Sequence, residues 1–242
     1  MNLIELRTRA TQISGRYDLA DHTTFADTGM NYYINAGQRW LDRKYFGKRM
    51  EGRYPKTIDI GDYIVDIQLA RSIKEVWFFN LESRTRLDKA SISWIRQQYT
   101  DTQNLQEVGT PLYYAPMITR GIPHFSALSG SDADFRAHDA DLMGVSSNLY
   151  DSIMIYPPTD AEITVEVWGL FYSNPLINDT DKSYWSETNP DILIHAALRA
   201  IEVDHRNRQG VDDWTAAIMN NLSDIQLDDL DEEITDIDEM EG

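Results

Sequence analysis

The sequence predicts an α+β protein, in which N-terminal helices precede an antiparallel β-sandwich or barrel-like core and a C-terminal helical region follows it. Near both ends of the 242-residue chain, apolar residues recur every three or four positions, as in helices with one buried face. In the middle they recur at every second position, as in strands, whose successive side chains point to opposite sides. These middle segments are short and are separated by turn residues, which favours a sandwich or small barrel over a parallel sheet.

Residues 1–50 are predicted to form the N-terminal helices. The first helix is indicated by Leu3, Leu6, Ala10 and Ile13, and Gly15 marks its end. A second helix is predicted from about residue 27 to residue 46, on an apolar stripe at helical spacing formed by Met30, Tyr33, Ile34, Gly37, Trp40, Leu41 and Tyr45. Basic residues are concentrated towards its C-terminal end, where the helix dipole favours cations: Arg39, Arg43 and Lys44.

Residues 51–175 are assigned to the antiparallel β core. Residues 57–60 and 63–67 flank Gly61 and Asp62, a turn pair that predicts a two-residue hairpin. The apolar segment 73–79 is expected to pair with a strand at 85–90, and a short helix is expected from residue 91 to residue 99. The remaining segments with strand character are 112–118, 122–128, 152–156 and 162–172. A polar segment, 129–149, is too long for a hairpin connection and is predicted to be an extended loop.

The C-terminal helices are assigned to residues 176–226. Asn189, Pro190 and Asp191 supply a cap residue, a proline at the first helical position and an acid in the first turn. Two apolar stripes follow, the first formed by Ile192, Ile194, Ala197, Leu198 and Ile201, and the second by Trp214, Ala217, Ile218, Leu222 and Ile225. We expect these helices, the N-terminal helices and the β core to make one structural unit.

The last segment, residues 227–242, is a strongly acidic tail. Nine of its residues are acidic, and they lie between four aliphatic residues at helical spacing: Leu227, Leu230, Ile234 and Ile237. Such an apolar seam is typical of a segment that docks on another surface. A frayed and solvated end is the alternative interpretation.

The formal net charge of −18 is concentrated at the C-terminal end of the chain. Residues 209–242 contain twelve acidic residues and no lysine or arginine. Such acidity argues against a surface that grips nucleic-acid phosphates, and solubility alone would also account for it. Basic residues are concentrated in one cluster, formed by Arg39, Arg43, Lys44, Lys48, Arg49 and Arg53. This cluster is either a partner for the acidic tail, in the same or a neighbouring subunit, or a solvated helix end.

No motif in the sequence indicates an enzyme, and we predict no catalytic, cofactor-binding or metal-binding residues. The absence of cysteine excludes disulfides, Cys-based zinc sites and thiol catalysis. Glu202 and His205 match half of a di-iron helix motif that has no second copy, and the acids of residues 132–141 lack the EF-hand pattern. No secretory or membrane-spanning segment is predicted, so we expect a soluble, non-secreted protein. Strand aromatics that could stack on sugars are Tyr113, Tyr114, Trp168 and Tyr172.

Four short patterns occur in a defined order along the chain. They are GTPLYYA at 109–115, IMIYPPTD at 153–160, VEVWGLFY at 165–172 and NPDILIHAAL at 189–198. In this order and spacing, the chain resembles the head-to-tail adaptor (connector) proteins of tailed bacteriophages, over roughly residues 25–50 and 109–220. The polar insertion at 129–149 and the long acidic tail depart from the plainest members of that family.

The resemblance implies a structural virion protein that forms a homo-oligomeric ring, commonly a dodecamer, beneath the portal protein. Such a ring, made in the host cytoplasm and placed in the neck of the virion, joins the capsid to the tail or nozzle protein. It lines a channel through which DNA passes without sequence-specific binding, and it contacts no membrane. A ring needs two different adhesive faces on each copy, for which our candidate subunit-docking or portal-docking residues are Leu227, Leu230, Ile234, Ile237, Arg39, Arg43 and Lys44.

Two other functions remain open on the sequence alone. A tail-associated carbohydrate- or receptor-binding module would present the strand aromatics to its ligand. A glycoside or peptidoglycan hydrolase would need a catalytic pair among the 40 acidic residues, which supply many pairs by chance. The adaptor is the function that the sequence favours.

Overall fold

The structure is a computed structural model that describes residues 1–45, 47, 50–80, 83–98, 108–119 and 150–238. It confirms the α+β class, with helices at both ends of the chain and strands between them. In chain order the described elements are α1 (Leu3–Ser14), α2 (Met30–Lys44), β1 (Glu51–Ile58), β2 (Ile64–Ile67), β3 (Ala70–Phe79), β4 (Arg84–Arg86), β5 (Asp88–Lys89), α3 (Ile92–Gln98), β6 (Tyr113–Thr119), β7 (Tyr150–Tyr156), β8 (Ile163–Phe171), α4 (Tyr184–Thr188), α5 (Pro190–Asp204) and α6 (Arg208–Asp238).

The chain divides into two compact units. The first, which we call the helical unit, consists of Met1–Glu51 together with the chain from Phe171 onward, and it contains all the described helices except α3. The second, which we call the β unit, consists of Gly52–Leu170 and contains nearly all of the strand residues.

Helix α1 begins and ends where the sequence predicts. Asn2 caps its N-terminus, since the side-chain oxygen of Asn2 accepts a hydrogen bond of 3.0 Å from the backbone N–H of Glu5. Gly15 ends the helix at a φ of 67°, in the left-handed region that glycine adopts without strain. Leu3, Leu6 and Ala10 are fully buried as predicted, whereas Ile13, the last residue of the predicted apolar stripe, is 45% exposed.

Helix α2 begins three residues later than predicted, because Asp27 acts as a cap instead of a helical residue. The Asp27 carboxylate accepts hydrogen bonds from the backbone N–H groups of Gly29 (3.2 Å) and Asn31 (2.9 Å). The helix then runs to Lys44, and Met30 at its start is buried as the apolar stripe predicts.

Helices α2 and α5 pack against each other at a close backbone approach. A Cβ atom added to Gly37 would lie 2.7 Å from the backbone nitrogen of Ala197 and 2.8 Å from the carbonyl carbon of Ala196. The interface therefore needs a glycine on α2 and small residues on α5. Helix α5 begins at Pro190 with Asp191 in its first turn, as predicted, but the side chain of Asn189 at the N-cap position makes no capping hydrogen bond.

Polar side chains on one side of α2 hold the backbone of residues 173–176. Asn35 makes two bonds with Leu176, donating to its carbonyl oxygen at 2.9 Å and accepting from its N–H at 2.8 Å. Gln38 donates to the carbonyl oxygen of Asn174 at 2.8 Å.

The carboxylate of Asp42 completes this set of contacts from the last turns of α2. It accepts hydrogen bonds from the backbone N–H of Ser173 at 2.8 Å, from the Ser173 hydroxyl at 3.0 Å and from the indole N–H of Trp185 at 2.7 Å. Asp42 is buried and Trp185 is fully buried. A polar side of α2 is thus part of the interior and makes hydrogen bonds to residues 173–176 and Trp185, although the buried Oε1 atom of Gln38 has no partner among the described residues.

The β unit contains two four-stranded sheets, with strand orders β1-β8-β3-β4 and β2-β7-β6-β5. The predicted pairing of segment 73–79 with the segment near 85 is confirmed, because β3 and β4 are antiparallel with Phe78 opposite Thr85. The second sheet is not purely antiparallel, since the short strand β5 runs parallel to β6. Helix α3 packs on this sheet through Ile95, which contacts a buried cluster of Ala115, Met117 and Met154.

The predicted hairpin around Gly61 and Asp62 is wrong. A tight turn is present, with Gly61 at a φ of 87° and the Asp62 N–H donating to the carbonyl oxygen of Asp59 at 3.1 Å. The strands on either side of it belong to different sheets, however, with β1 beside β8 and β2 paired with β7. Turn residues specify a chain reversal, whereas the strand partner is decided by which buried faces match.

Several predicted segments lie outside the described residues. They are the strand at 122–128, the polar loop at 129–149 and the basic residues Lys48 and Arg49. At the C-terminal end, the predicted second helix and the first part of the acidic tail form one continuous helix, α6, of 31 residues.

We expect Gly37→Ala to lower the free energy of unfolding by about 1–3 kcal/mol, because the added methyl group meets backbone atoms of α5 that cannot move aside. Gly210→Ala is the matched control, since its added methyl group meets side-chain ends of Asn207 and Glu202 and alanine raises helix propensity. Urea unfolding followed by tryptophan fluorescence measures both. Equal stability of Gly37→Ala and the wild type would contradict the close packing of α2 on α5.

We expect Asp42→Asn to lower the free energy of unfolding by about 2–4 kcal/mol, because the side-chain NH2 group of Asn would face the donors of the half-buried Ser173 and the fully buried Trp185. Asp212→Asn makes the same chemical change at an exposed residue and should change stability by less than about 0.5 kcal/mol. The same urea titration measures the two. Similar effects of both substitutions would show that Asp42 does not hold residues 173–176.

Candidate interaction surface

The structure brings Arg39, Arg43 and Lys44 together on the exposed side of α2. The guanidinium carbon of Arg39 lies 5.2 Å from the ring centroid of Tyr172, and that of Arg43 lies 6.0 Å from the same ring. The ammonium nitrogen of Lys44 lies 5.9 Å from the Trp40 ring. Cations at these distances are attracted to the electron-rich ring face.

A fourth cation, Arg199 of α5, completes this surface. Its guanidinium carbon lies 4.4 Å from the Trp40 ring, and its Nε donates a hydrogen bond of 2.9 Å to the hydroxyl of Thr215. Burial lowers the pKa of Arg199 from its usual value. We call the set of Arg39, Trp40, Arg43, Lys44, Tyr172 and Arg199 the α2 cation patch.

The helical period explains why these residues share a surface. Arg39 and Arg43 are four residues apart, as are Trp40 and Lys44, so each pair lies on one side of the helix. Gln38 and Asp42, which directly precede Arg39 and Arg43 in sequence, are buried. Helix α2 therefore has an exposed cationic side, which forms the patch, and a buried polar side, which binds residues 173–176.

The cations of the patch on α2 lack carboxylate partners within the described part of the chain. Other arginines do have them there: Arg7 pairs with Asp179, Arg16 with Asp18, Arg53 and Arg84 with Glu166, and Arg86 with Glu75. Among these same described residues, no ion pair reaches Arg39, Arg43 or Lys44. In a protein of net charge −18, the patch is thus a local positive surface, and no ion pair within the described part of the chain neutralises its cations on α2.

The members of the predicted basic cluster that the structure describes belong to different units. Arg53 belongs to the β unit, where it pairs with the buried Glu166 at 3.0 Å. Arg199 joins the patch although it lies more than 150 residues from Arg39 in sequence, and sequence reasoning missed it. The available signal was an arginine in the middle of an otherwise apolar helix, next to Leu198 and Ala200.

The predicted acidic docking segment lies on α6. At 1.5 Å per residue, the 31 residues of α6 span roughly 46 Å and the 15 residues of α5 roughly 22 Å. The two helices pack together as consecutive elements, so α6 is longer than its neighbour by roughly 24 Å. Ile218, Leu222 and Ile225 are buried, whereas Leu227 is 59% exposed.

The other aliphatic residues of the predicted seam, Leu230, Ile234 and Ile237, also lie within the bounds of α6. The structure therefore places all four seam residues on one helix, as their spacing requires. It brings no Lys or Arg into this helix after Arg208, because the sequence has none there.

The predicted sugar-stacking aromatics are only partly available. Tyr114 is 2% exposed and is a core residue, so it is not available to stack on a sugar. Its alternation along β6 turns it inward, while Tyr113 remains half-buried at the surface. Tyr113 and Tyr156 make edge-to-face contacts with Trp94, at centroid distances of 5.1 and 5.8 Å, and Trp94 is 38% exposed.

Both residues of the half di-iron motif contact other side chains. Glu202 accepts a hydrogen bond from the side chain of Asn207, and His205 contacts the guanidinium of Arg16. No group of three potential ligands converges anywhere in the described ranges. The acids of residues 132–141 lie outside those ranges. Over the same described ranges, none of the helices combines the length and apolar character that crossing a membrane requires.

Comparison of the chain with protein-family models and with curated proteins finds no match.

We expect Arg39→Gln combined with Arg43→Gln to change the free energy of unfolding by less than about 1 kcal/mol, because exposed cation–π contacts are weak. Arg199→Gln should cost more, about 1–3 kcal/mol, since it loses both the Trp40 contact and the hydrogen bond to Thr215. Urea unfolding of the two variants distinguishes surface cations from a structural one. A loss above about 3 kcal/mol in the double variant would mean that Arg39 and Arg43 maintain the fold and are not free for a partner.

Proposed function

We propose that this protein is a structural virion component, a head-to-tail adaptor whose copies form a ring beneath the portal and join the capsid to the tail. The observation that carries the proposal is that the helical unit has two surfaces of opposite charge. One is the α2 cation patch, and the other is the acidic end of α6. A closed ring is built from heterologous contacts, in which each copy uses two different surfaces.

The charge of the chain also supports a DNA conduit. A wall that surrounds moving DNA should repel phosphates, because each phosphate contact adds affinity and slows passage. The net charge of −18 per copy provides that repulsion, over a screening length of about 8 Å at physiological ionic strength. The role is mechanical, with no bond made or broken.

A second candidate, a tail-associated carbohydrate- or receptor-binding module, is favoured by one feature of the β unit. Trp94, Tyr113 and Tyr156 make a cluster of aromatic rings at the surface, and Trp94 is 38% exposed. Aromatic faces of this kind stack on the apolar faces of sugars. The order of the four sequence patterns favours the adaptor, so we rank this module second.

Native mass spectrometry of the full chain, alone and with the portal protein of the same virus, tests the proposal. We expect a closed ring, formed either by the chain alone or only after the portal is added. A stable monomer or trimer that ignores the portal would contradict the adaptor. Glycan binding by that monomer or trimer, lost in Trp94→Ala, would support the second candidate instead.

A further inference from the structure

We infer that residues 228–238 of α6 in one copy of the chain bind the α2 cation patch of a neighbouring copy. The inference rests on the proposed function only for placing these copies in a ring. The contact itself is argued from charge, apolar surface and reach within the helical unit.

The charges of the two surfaces are complementary. Residues 228–238 contain seven carboxylates and no basic residue. The patch contains four cations, and within the described part of the chain Arg39, Arg43 and Lys44 have no carboxylate partner. Complementary charges of this kind speed association and set its register.

The apolar components of the two surfaces are complementary as well. Trp40 and Tyr172 are half-buried, so each ring offers part of its surface to a partner. Leu230, Ile234 and Ile237 recur at helical spacing between the acids. An amphipathic helix that lays aliphatic residues on aromatic rings and acids beside cations is a known mode of recognition.

The helix cannot supply these acids to the patch of its own chain. Thr215 marks the point where α6 passes the patch, because its hydroxyl accepts the hydrogen bond of Arg199. Residue 228 lies 13 residues further along α6, roughly 20 Å away along the axis. Since α6 is one uninterrupted helix, its acidic part is carried away from the patch and does not fold back onto it.

A contact between copies follows from this geometry. Each copy would offer its α6 to one neighbour and receive the α6 of the other at its own α2. Such a head-to-tail contact closes into a ring when the rotation between copies divides a full turn, and otherwise gives a filament.

Charge reversal in the full chain tests the contact. The patch variant carries Arg39→Glu and Arg43→Glu, and the helix variant carries Asp229→Lys and Glu233→Lys. Analytical ultracentrifugation at low ionic strength should show self-association of the wild type, weakened by about tenfold or more in either variant because like charges then face each other. Higher ionic strength should weaken the wild-type association.

Combining the variants separates this contact from general effects of charge. The fourfold variant has both signs reversed, so it should associate with itself as the wild type does and should not co-assemble with the wild type. A mixture of the patch variant and the helix variant should associate, since each supplies the surface that the other accepts. Circular dichroism of every variant confirms that the helices are retained.

Arg9→Glu with Arg96→Glu is the matched control, because both arginines are exposed and lie outside the patch. This control should associate like the wild type. A wild type that stays monomeric, or a fourfold variant that does not recover association, would overturn the inference. Failure of the inference is distinguishable from failure of the proposed adaptor function. If both charge variants still form a ring on the portal, the inferred contact is wrong but the adaptor function stands. If the wild type self-associates as expected but never binds the portal, the adaptor function is wrong but the inferred contact stands.

Discussion

The buried carboxylate of Asp42 is the constraint on which the helical unit depends. It accepts three hydrogen bonds from Ser173 and Trp185, residues more than 130 positions away in sequence. Turning that side of α2 to solvent would leave the fully buried indole N–H of Trp185 unpaired, at a cost of about 1–3 kcal/mol, and would also remove the acceptor of the half-buried Ser173. Asn35 and Gln38 extend the same set of bonds along the helix. Together they fix the rotation of α2 about its own axis.

That fixed rotation decides which residues of α2 face outward. Once Gln38 and Asp42 are inside, the positions that directly follow them, Arg39 and Arg43, are turned by roughly 100° about the helix axis and lie on the exposed side. Their cations then rest on the Tyr172 ring, in the segment of chain whose next residue, Ser173, binds Asp42. The hydrogen bonds on the buried side of α2 thus determine where the cations of the patch lie on its exposed side.

The helices could be predicted from the sequence because each buries one apolar face, as the near agreement for α1 and α5 shows. The sheet partners could not, since the turn at Gly61 indicates a reversal without saying which strand β1 will join. Of the patch, Arg39, Arg43 and Lys44 could be identified as neighbours on one helix. Arg199 could not, because only folding brings α5 to Trp40. Polar interior residues such as Asp42 resemble a solvated helix face until their distant partners are known.

The acidic residues 228–238 of α6 would be destabilised as a helix on their own, so the surface that they contact affects whether they stay helical. Within residues 228–238, acids stand four apart at 228 and 232, at 229 and 233, and at 232 and 236. Each such like-charge pair destabilises a helix by about 0.2–0.5 kcal/mol, and acids near a C-terminus also oppose the helix dipole. Both penalties fall when cations lie beside the helix. A cationic surface therefore stabilises this segment as a helix, so that binding a partner and maintaining helical structure are physically coupled at this end of the chain.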